Sequence, residues 1–394
     1  MTHGDDTPGR RQCAACGETV PAARFCGACG ADLDGRVTGW SVLLRPGVFA
    51  NAHREPIWLP RISSTLLPRI PGRTRKPFRL GMIFVLLAIA FFSAVEKNGP
   101  LGVFAVIGWP LIFLIYTWES DVFRDIPARI LAVSMMLGVA SGVGWWLGSG
   151  KFIAGTYGVS TGSSLLLIIE GLNVGFLISL VGGVLMLLPA VVTRLFAVPV
   201  RESLDGFVLG AFGALWYSTA AATTILAPQF AEGLIKNQSA ARMLEDAITY
   251  GVVGPIITIA AGGLLGLLLW FTPDRRDGRD PRRARAALAI CALTAFLLYL
   301  AVWRVDVMSL PRTVDIPVKL ALALLALITV RTAVQIALLH DAPDPADGDP
   351  ILCVHCERVV PDMPFCVACG SAARASSRSS RRLRREDRPV PEVV

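Results

Sequence analysis

Residues 252–271 read VVGPIITIAAGGLLGLLLWF, twenty residues in a row without a charged side chain. A helix needs about 20 predominantly apolar residues to cross the roughly 30 Å hydrocarbon core of a bilayer. A surface helix of a soluble domain carries a polar face, and this run has none. The stretch therefore predicts a transmembrane helix.

Seven further apolar runs of similar character make eight candidate spans. They cover residues 80–95, 101–118, 126–147, 164–188, 206–227, 252–271, 284–303 and 316–339. Of the 394 residues, 53% are hydrophobic and only 17% are charged. This composition excludes a conventional soluble enzyme and indicates a polytopic membrane protein.

The basic residues predict which way the chain crosses the membrane. An even number of spans places both ends on one side, and positively charged flanks stay in the cytoplasm. Such flanks precede the first span and follow the sixth, with Arg73, Arg75, Lys76, Arg79, Arg275, Arg276, Arg279, Arg282, Arg283 and Arg285. The first 30 residues hold no apolar signal-peptide core. We expect a multi-pass protein of the bacterial inner membrane with both termini in the cytoplasm.

Eight of the nine cysteines form one pattern twice, as CxxC, nine residues and CxxC. The two sets are Cys13, Cys16, Cys26 and Cys29, and Cys353, Cys356, Cys366 and Cys369. A shift of 340 positions also aligns Phe25 with Phe365 and Gly30 with Gly370, which marks an internal repeat. Four thiolates suit one tetrahedral ion and leave no open position for catalysis. The sequence therefore predicts two structural Zn²⁺ ions per chain.

Two other interpretations of these cysteines stay open, two disulfides per cluster or a redox-active CxxC. A reducing cytoplasm disfavours stable disulfides, and a redox motif needs no second CxxC at matched spacing. His355 lies inside one CxxC, but its counterpart is Ala15, so we expect His355 to face solvent. A segment this short depends on its ion for folding. We expect Phe25 and Phe365 each to cover the apolar side of its own site.

The predicted fold class is an all-α polytopic membrane helix bundle of about eight transmembrane helices, with a small zinc ribbon at each terminus. The N-terminal ribbon covers residues 1–35, the transmembrane bundle 80–340 and the C-terminal ribbon 341–372. Residues 36–79 form a Pro/Arg-rich linker, which either lies on the anionic inner leaflet with its Leu66 and Leu67 or is disordered. The Arg/Ser-rich tail, residues 373–394, is expected to be disordered.

Few charged side chains lie within the spans. Glu170 and Lys319 have matched depth near the outer end, which predicts an ion pair. Arg331 lies closer to the cytoplasmic end, where its side chain can extend to the membrane surface. Small residues four apart predict close helix packing within the chain, with an oligomer contact as the alternative. These pairs are Gly138 and Gly142, Gly144 and Gly148, Gly171 and Gly175, Gly206 and Gly210, and Gly262 and Gly266.

One stretch, DGFVLGAFGALWYSTAAA over residues 205–222, resembles a segment of PrsW-type intramembrane metalloproteases. PAVVTRLFA, residues 189–197, resembles the segment of that family with paired glutamates and a lysine. Where the family has these groups and a later glutamate, this chain has Thr193, Arg194, Ala197 and Ala221. The resemblance therefore implies a pseudoprotease, with no catalytic residue to name. The whole layout also resembles uncharacterised actinobacterial membrane proteins with terminal zinc ribbons, which implies no particular activity.

The leading hypothesis is a non-catalytic adaptor or regulator whose zinc ribbons recruit cytoplasmic protein partners to the membrane. The first alternative is a transporter or channel for a small solute, since Pro255 interrupts a glycine-rich span. The second is an intramembrane hydrolase with an unrecognised site, for which Glu170 is the candidate carboxylate. Zn²⁺ is the only cofactor predicted. Membrane lipid and an unidentified cytoplasmic protein are the expected partners, and nucleic-acid binding and oligomerisation stay open.

Overall fold

The computed structural model describes residues 9–34, 49–52, 55–69, 75–95, 98–157, 164–196, 200–232, 240–274, 281–308 and 310–388. Two small β-hairpins lie near the ends of this chain. β1 (Arg10–Gln12) pairs with β2 (Thr19–Pro21), and β3 (Pro350–Leu352) pairs with β4 (Val359–Pro361), both antiparallel. Between the hairpins the described chain is helical.

Eight crossings of the described chain are long and apolar enough to span a membrane, which confirms the predicted helical bundle. Seven are single helices: α2 (Arg75–Ala94), α3 (Asn98–Glu119), α5 (Ala128–Tyr157), α6 (Ser164–Leu195), α7 (Ser203–Glu232), α10 (Pro281–Val307) and α11 (Arg312–His340). The sixth crossing joins α8 (Ala240–Ile248), a π-helical turn (Thr249–Val253) and α9 (Gly254–Trp270). Two short helices, α1 (Ile62–Leu66) and α4 (Val122–Asp125), lie outside the crossings.

The outer surface of the bundle carries large apolar side chains. On α2, Leu80, Phe84 and Leu87 each expose more than 60% of their surface. Soluble monomers rarely expose contiguous apolar patches of this kind. This surface therefore agrees with a multi-pass protein whose helices face lipid.

Helix α7 lies at the centre of the bundle and packs closely on α9 through glycines. A Cβ built on Gly266 would lie 2.0 Å from the carbonyl oxygen of Gly206, and one on Gly210 would lie 2.1 Å from that of Gly262. No side chain fits there, so these pairs hold helices together within the chain, as predicted. By contrast, a Cβ on Gly144 or Gly148 meets no atom within 4 Å. Gly171 and Gly175 lie in the part of α6 whose side chains the structure does not describe.

The described part of the linker packs on the bundle at some positions, while Trp58 and Leu59 are exposed. Its residues Phe49, Leu66 and Leu67 are buried in the protein core rather than lying on lipid, and α1 packs on α11. These apolar side chains cover the end of the bundle to which the two hairpins also belong. We call this the ribbon end and the opposite one the far end.

Two charged residues of α11 also have partners that the sequence did not indicate. Arg331 is fully buried and does not extend to the membrane surface, because its guanidinium reaches Glu55 Oε2 at 3.2 Å and lies 3.9 Å from the ring centre of Phe49. At the far end, Lys319 Nζ lies 2.7 Å from Asp306 Oδ1 and 2.9 Å from Asp315 Oδ2. The side chain of Glu170, its predicted partner, lies outside the described side chains.

The basic tail is ordered over most of its length, which corrects the expectation of disorder. A 3₁₀ turn (Ala373–Ala375) leads into α12 (Arg378–Glu386), and the Ser377 hydroxyl accepts a hydrogen bond from the amide of Ser380 at the start of that helix. Composition alone predicts disorder for so many like charges. Arg378, Arg381 and Arg385 of α12 instead pair with acidic residues far away in the sequence, as the site below shows.

Candidate metal centres and their docking site

The N-terminal ribbon holds its four cysteine sulfurs in one cluster. Cys13 and Cys16 follow β1, and Cys26 and Cys29 follow β2, so each CxxC forms a tight turn. Sγ of Cys13 lies 3.7 Å from Sγ of Cys29, and Sγ of Cys16 lies 3.8 Å from Sγ of Cys26. All four sulfurs lie within 4.8 Å of one another.

The C-terminal ribbon repeats this geometry. Sγ of Cys353 lies 3.9 Å from Sγ of Cys369, and Sγ of Cys356 is equally far from Sγ of Cys366. Three of the four cysteines are buried, as in the first ribbon. His355 is half-buried and does not belong to this ligand cluster.

These sulfur–sulfur distances fit metal ligation and exclude disulfides. A disulfide joins its sulfurs at about 2.05 Å, and none of the eight cysteines forms a disulfide. A tetrahedral ion with metal–sulfur bonds of about 2.3 Å places its ligands about 3.8 Å apart. Both clusters therefore suit one metal ion each, with four sulfur ligands and no position left for a substrate.

The two ribbons pair with each other through a pseudo-twofold arrangement. The amide of Phe25 donates to the carbonyl of Val367 at 3.0 Å, and the amide of Phe365 donates to that of Gly27 at 2.9 Å. Under the 340-residue shift these two hydrogen bonds are equivalent. The ribbons thus form one body, which we call the ribbon pair.

The phenylalanines have a different role from the predicted one. The ring of Phe365 lies against Gly30, and the ring of Phe25 lies against Gly370, so each covers a knuckle of the other ribbon. Both glycines have φ of +74°, a left-handed conformation, and a Cβ at either would lie within 3 Å of the opposing ring. Glycine at these positions therefore allows both the turn and the pairing.

The C-terminal ribbon is attached directly to the ribbon end of the bundle. The amide of Ala372 donates to the carbonyl of Ala50 at 2.7 Å. Next to it, Arg374 Nη1 lies 3.0 Å from Asp341 Oδ2, and the same carboxylate accepts from the hydroxyls of Ser203 and Thr272. Burial raises the pKa of Asp341, although these three partners favour its charged form.

Helix α12 docks with its first turn on Asp125. The two carboxylate oxygens of Asp125 accept from the amides of Arg378 at 2.6 Å and Ser379 at 2.9 Å. The first amides of a helix lack partners within it and carry partial positive charge, so a carboxylate there is stabilising. Asp125, which ends α4, thus fixes the position and direction of α12.

The same docking surface contains a buried ion network around Arg69. Its guanidinium lies 2.6 Å from Asp205 Oδ1 and 2.8 Å from Glu202 Oε2, and Arg381 of α12 contacts the other oxygen of Glu202. Burial opposes ionisation of Glu202, but Arg69 and Arg381 outweigh it and lower the pKa of this carboxyl to about 2. For Arg69, burial acts against the charge, yet Asp205 and Glu202 raise its pKa.

Further pairs join α12 to the C-terminal ribbon. Arg385 Nε lies 2.7 Å from Asp362 Oδ2, and Arg384 donates to the carbonyl of Leu352 in β3. Arg381 Nε lies 2.6 Å from Asp344 Oδ2, and Arg388 contacts Asp347 and Asp349. Charge pairs therefore link α12 to both the ribbon and the bundle.

The positions that resemble the protease segment lie in contacts within and between helices. Thr193 donates to the carbonyl of Pro189 one turn earlier, and Arg194 Nε donates to the carbonyl of Leu269 on α9 at 2.9 Å. Ala221 is buried in α7. Within the described residues, the clusters of histidine, cysteine and carboxylate groups that could hold a metal ion are the two ribbons.

Comparisons with family models, with curated proteins and with solved structures give no match to this chain.

Proposed function

We propose that this chain is a non-catalytic adaptor of the bacterial inner membrane that displays a pair of zinc ribbons in the cytoplasm and recruits cytoplasmic proteins to them. The observation that carries the proposal is the ribbon pair itself, fixed to one end of an eight-helix bundle. A bundle that only had to span the membrane has no need for two metal-dependent modules held in one fixed arrangement. A fixed, exposed surface is what a binding module requires.

Zn²⁺ fits both sites best, because four thiolates in a tetrahedron form the closed structural site typical of this ion. Each ion supplies folding free energy to a segment too short to fold without it. Cytoplasmic placement follows from the basic flanks, of which Arg79, Arg282 and Arg283 lie at the ends of α2 and α10. A reducing compartment also keeps the eight thiols available for metal.

Proximity labelling in living cells tests the recruitment. A labelling enzyme fused after residue 394 marks neighbours of the wild-type chain, of Cys13→Ser/Cys16→Ser and of Cys291→Ser. The first variant removes one ion, and the second is a matched control because Cys291 lies on α10, away from both ribbons. We expect a defined set of cytoplasmic proteins to be labelled by the wild type and the control but not by the ribbon variant.

An identical set of labelled proteins in all three strains, at equal membrane abundance, would contradict the adaptor function. Metal analysis of the same purified chains supplies the second measurement. The wild type and Cys291→Ser should each contain two zinc ions and the ribbon variant one, because each site has four cysteine ligands.

A solute transporter is the second candidate, favoured by the interruption of the sixth crossing. The π-helical turn Thr249–Val253 lies beside the charge cluster at the far end, where Lys319 Nζ donates to the Thr249 hydroxyl at 3.2 Å. Broken helices around polar groups are typical of substrate sites in transporters. A solute that stabilises the wild-type chain against heat but not Lys319→Met would favour this function over the adaptor.

A further inference from the structure

The pseudo-twofold symmetry of the ribbon pair is broken at one place, and the break leaves a cleft. On one side, Met363 fills the space over Gly27, where a Cβ would lie 2.2 Å from the methionine sulfur. The 340-residue shift places Ala23 at the position of Met363 and Val367 at that of Gly27. On the other side Val367 is buried and packs with Ala23, and the cleft opens beside these two residues.

This cleft is large and is open to solvent. Its volume is about 590 Å³, and it is lined by Ala23, Arg24, Arg358, Val359, Pro361 and Val367, among others. This volume lies within the range of about 300–1,000 Å³ that is usual for ligand pockets, so side chains of a partner fit into the space.

The walls of the cleft combine positive charge with an apolar surface. Arg24 and Arg358 are exposed, and neither makes an ion pair with a described residue. Val359 exposes 57% of its surface and so offers an apolar contact at the cleft. At the symmetry-related positions of the filled side the chain has Pro364, Glu18 and Thr19. The basic and apolar character thus belongs to the cleft and not to the ribbon fold.

The cleft also borders an open strand edge. β4 pairs with β3 on one side only, and its other edge has no partner strand among the described residues. An edge strand can add a further strand from another chain. On this edge the amide and carbonyl of Val359 and the carbonyl of Pro361 are available, whereas Pro361 has no N–H to donate.

From these observations we infer that the cleft binds an extended, acidic and apolar peptide segment of a cytoplasmic protein. The segment pairs with the free edge of β4, its carboxylates contact Arg24 and Arg358, and its aliphatic side chains lie on Val359. The inference rests on the proposed adaptor function and names the partner chemistry that the function requires. The cleft, rather than the metal sites, determines which partner is bound.

Binding of a defined peptide to the full-length, zinc-loaded chain in nanodiscs tests the inference. The probe is a fluorescent peptide that alternates glutamate and leucine, and the reference peptides carry glutamine or lysine in place of glutamate. We expect the glutamate peptide to bind most tightly and its affinity to fall as salt rises. Equal binding of the lysine peptide would overturn the proposed charge recognition.

Two variants test separately the positive charge of the cleft and its open volume. Arg24→Ala/Arg358→Ala removes the cations, and Ala23→Met supplies the side chain that fills the other side. We expect each to weaken binding by about tenfold or more. Arg10→Ala/Arg382→Ala, which removes two exposed arginines that do not line the cleft, should bind like the wild type. Equal binding by the cleft variants and this control would overturn the inference.

A photo-crosslinking phenylalanine analogue in place of Val359 locates the occupant. Crosslinking to the glutamate peptide, reduced by excess unlabelled peptide, supports the inference. Crosslinking to residues 1–8 of the same chain, which include Asp5 and Asp6, would instead show a self-occupied cleft and overturn it. If no peptide binds but proximity labelling still depends on the ribbons, the cleft assignment fails and the adaptor function stands.

Discussion

The two ribbons have the same ligand spacing and the same hairpin, but they are held in place by different contacts. The backbone hydrogen bonds that tie the N-terminal ribbon to other described residues go to its counterpart, through Phe25 and Gly27. The C-terminal ribbon has that interface as well, together with Ala372 on the linker, Arg374 on Asp341 and the whole of α12. The C-terminal ribbon thus attaches the N-terminal ribbon to the bundle.

Because of this difference, the two ribbons tolerate amino-acid substitutions to different extents. Substitutions in the C-terminal ribbon affect the end of the bundle. Among the described residues, the N-terminal ribbon makes its backbone hydrogen bonds to the rest of the chain through the pairing. The cleft lies between the two, with Arg24 from one ribbon and Arg358 from the other. Both ions are therefore needed to form it, although only one ribbon holds it on the bundle.

Removing each ion in turn gives the largest expected effect. Cys353→Ser/Cys356→Ser should release the ribbon pair from the bundle, because structural zinc supplies roughly 10–16 kcal/mol to such a module. It should also loosen α12, which loses its contacts with Asp362 and Leu352 but keeps those with Asp125 and Glu202. Cys13→Ser/Cys16→Ser should unfold the N-terminal ribbon alone. Amide hydrogen exchange over α12 measures the difference, and it should rise only in the first variant. Equal hydrogen exchange over α12 in both variants would show that the two ribbons are attached to the bundle in the same way.

The second effect comes from the buried network under α12. Glu202→Gln leaves Arg69 and Arg381 short of a carboxylate, and breaking a buried pair from one side costs about 3–5 kcal/mol. Glu386→Gln is the control, since its pair with Arg382 is exposed and such pairs contribute about 0–1 kcal/mol. The free energy of α12 opening, from hydrogen exchange, should fall only in Glu202→Gln.

The same contacts determine whether the free energy of α12 opening rises or falls with pH. The pKa of Glu202 is about 2 in the folded chain against an ordinary value of 4.5. Its stabilisation is therefore complete above pH 4.5 and is lost as the pH falls towards 2. The raised pKa of Asp341 acts in the opposite direction, so the difference between wild type and Glu202→Gln is the quantity to follow. That difference should shrink on acidification; growth would contradict the assigned charge state of Glu202.

The sequence predicts the spans and the two four-cysteine clusters well because each depends on a local pattern. An uncharged run such as 252–271 crosses a membrane wherever it lies in the chain, and CxxC pairs form one cluster through short turns. The network of Arg69, Glu202 and Arg381 joins residues far apart in sequence. No spacing rule indicates it, so the same arginines predict a disordered tail.

The ordering of the tail had one local signal, and it was weak. Ser377 precedes the helical residues and caps them, which is a common helix start. Within α12, however, Leu383 is the only apolar residue, so no hydrophobic periodicity marks the helix. The sequence also did not indicate that the ribbons pair. The repeat predicts two equal modules, but not that Phe25 and Phe365 each pack on the other ribbon.

The smallest expected effect concerns a turn in which the ribbons differ by one residue. After the first CxxC, Gly17 has φ of +77°, and its counterpart Glu357 adopts φ of +56° with the same hydrogen bond back to the first cysteine. A left-handed conformation costs a residue with a Cβ about 1–2 kcal/mol. Glu357→Gly should therefore stabilise the C-terminal ribbon and slow zinc loss to a chelator, by up to about tenfold.

Gly17→Ala should speed zinc loss from the N-terminal ribbon by a similar factor. A Cβ at Gly17 meets no atom within 4 Å, so only the backbone conformation is penalised. Unchanged rates in both variants would mean that zinc ligation, not turn conformation, determines how long either ribbon stays folded.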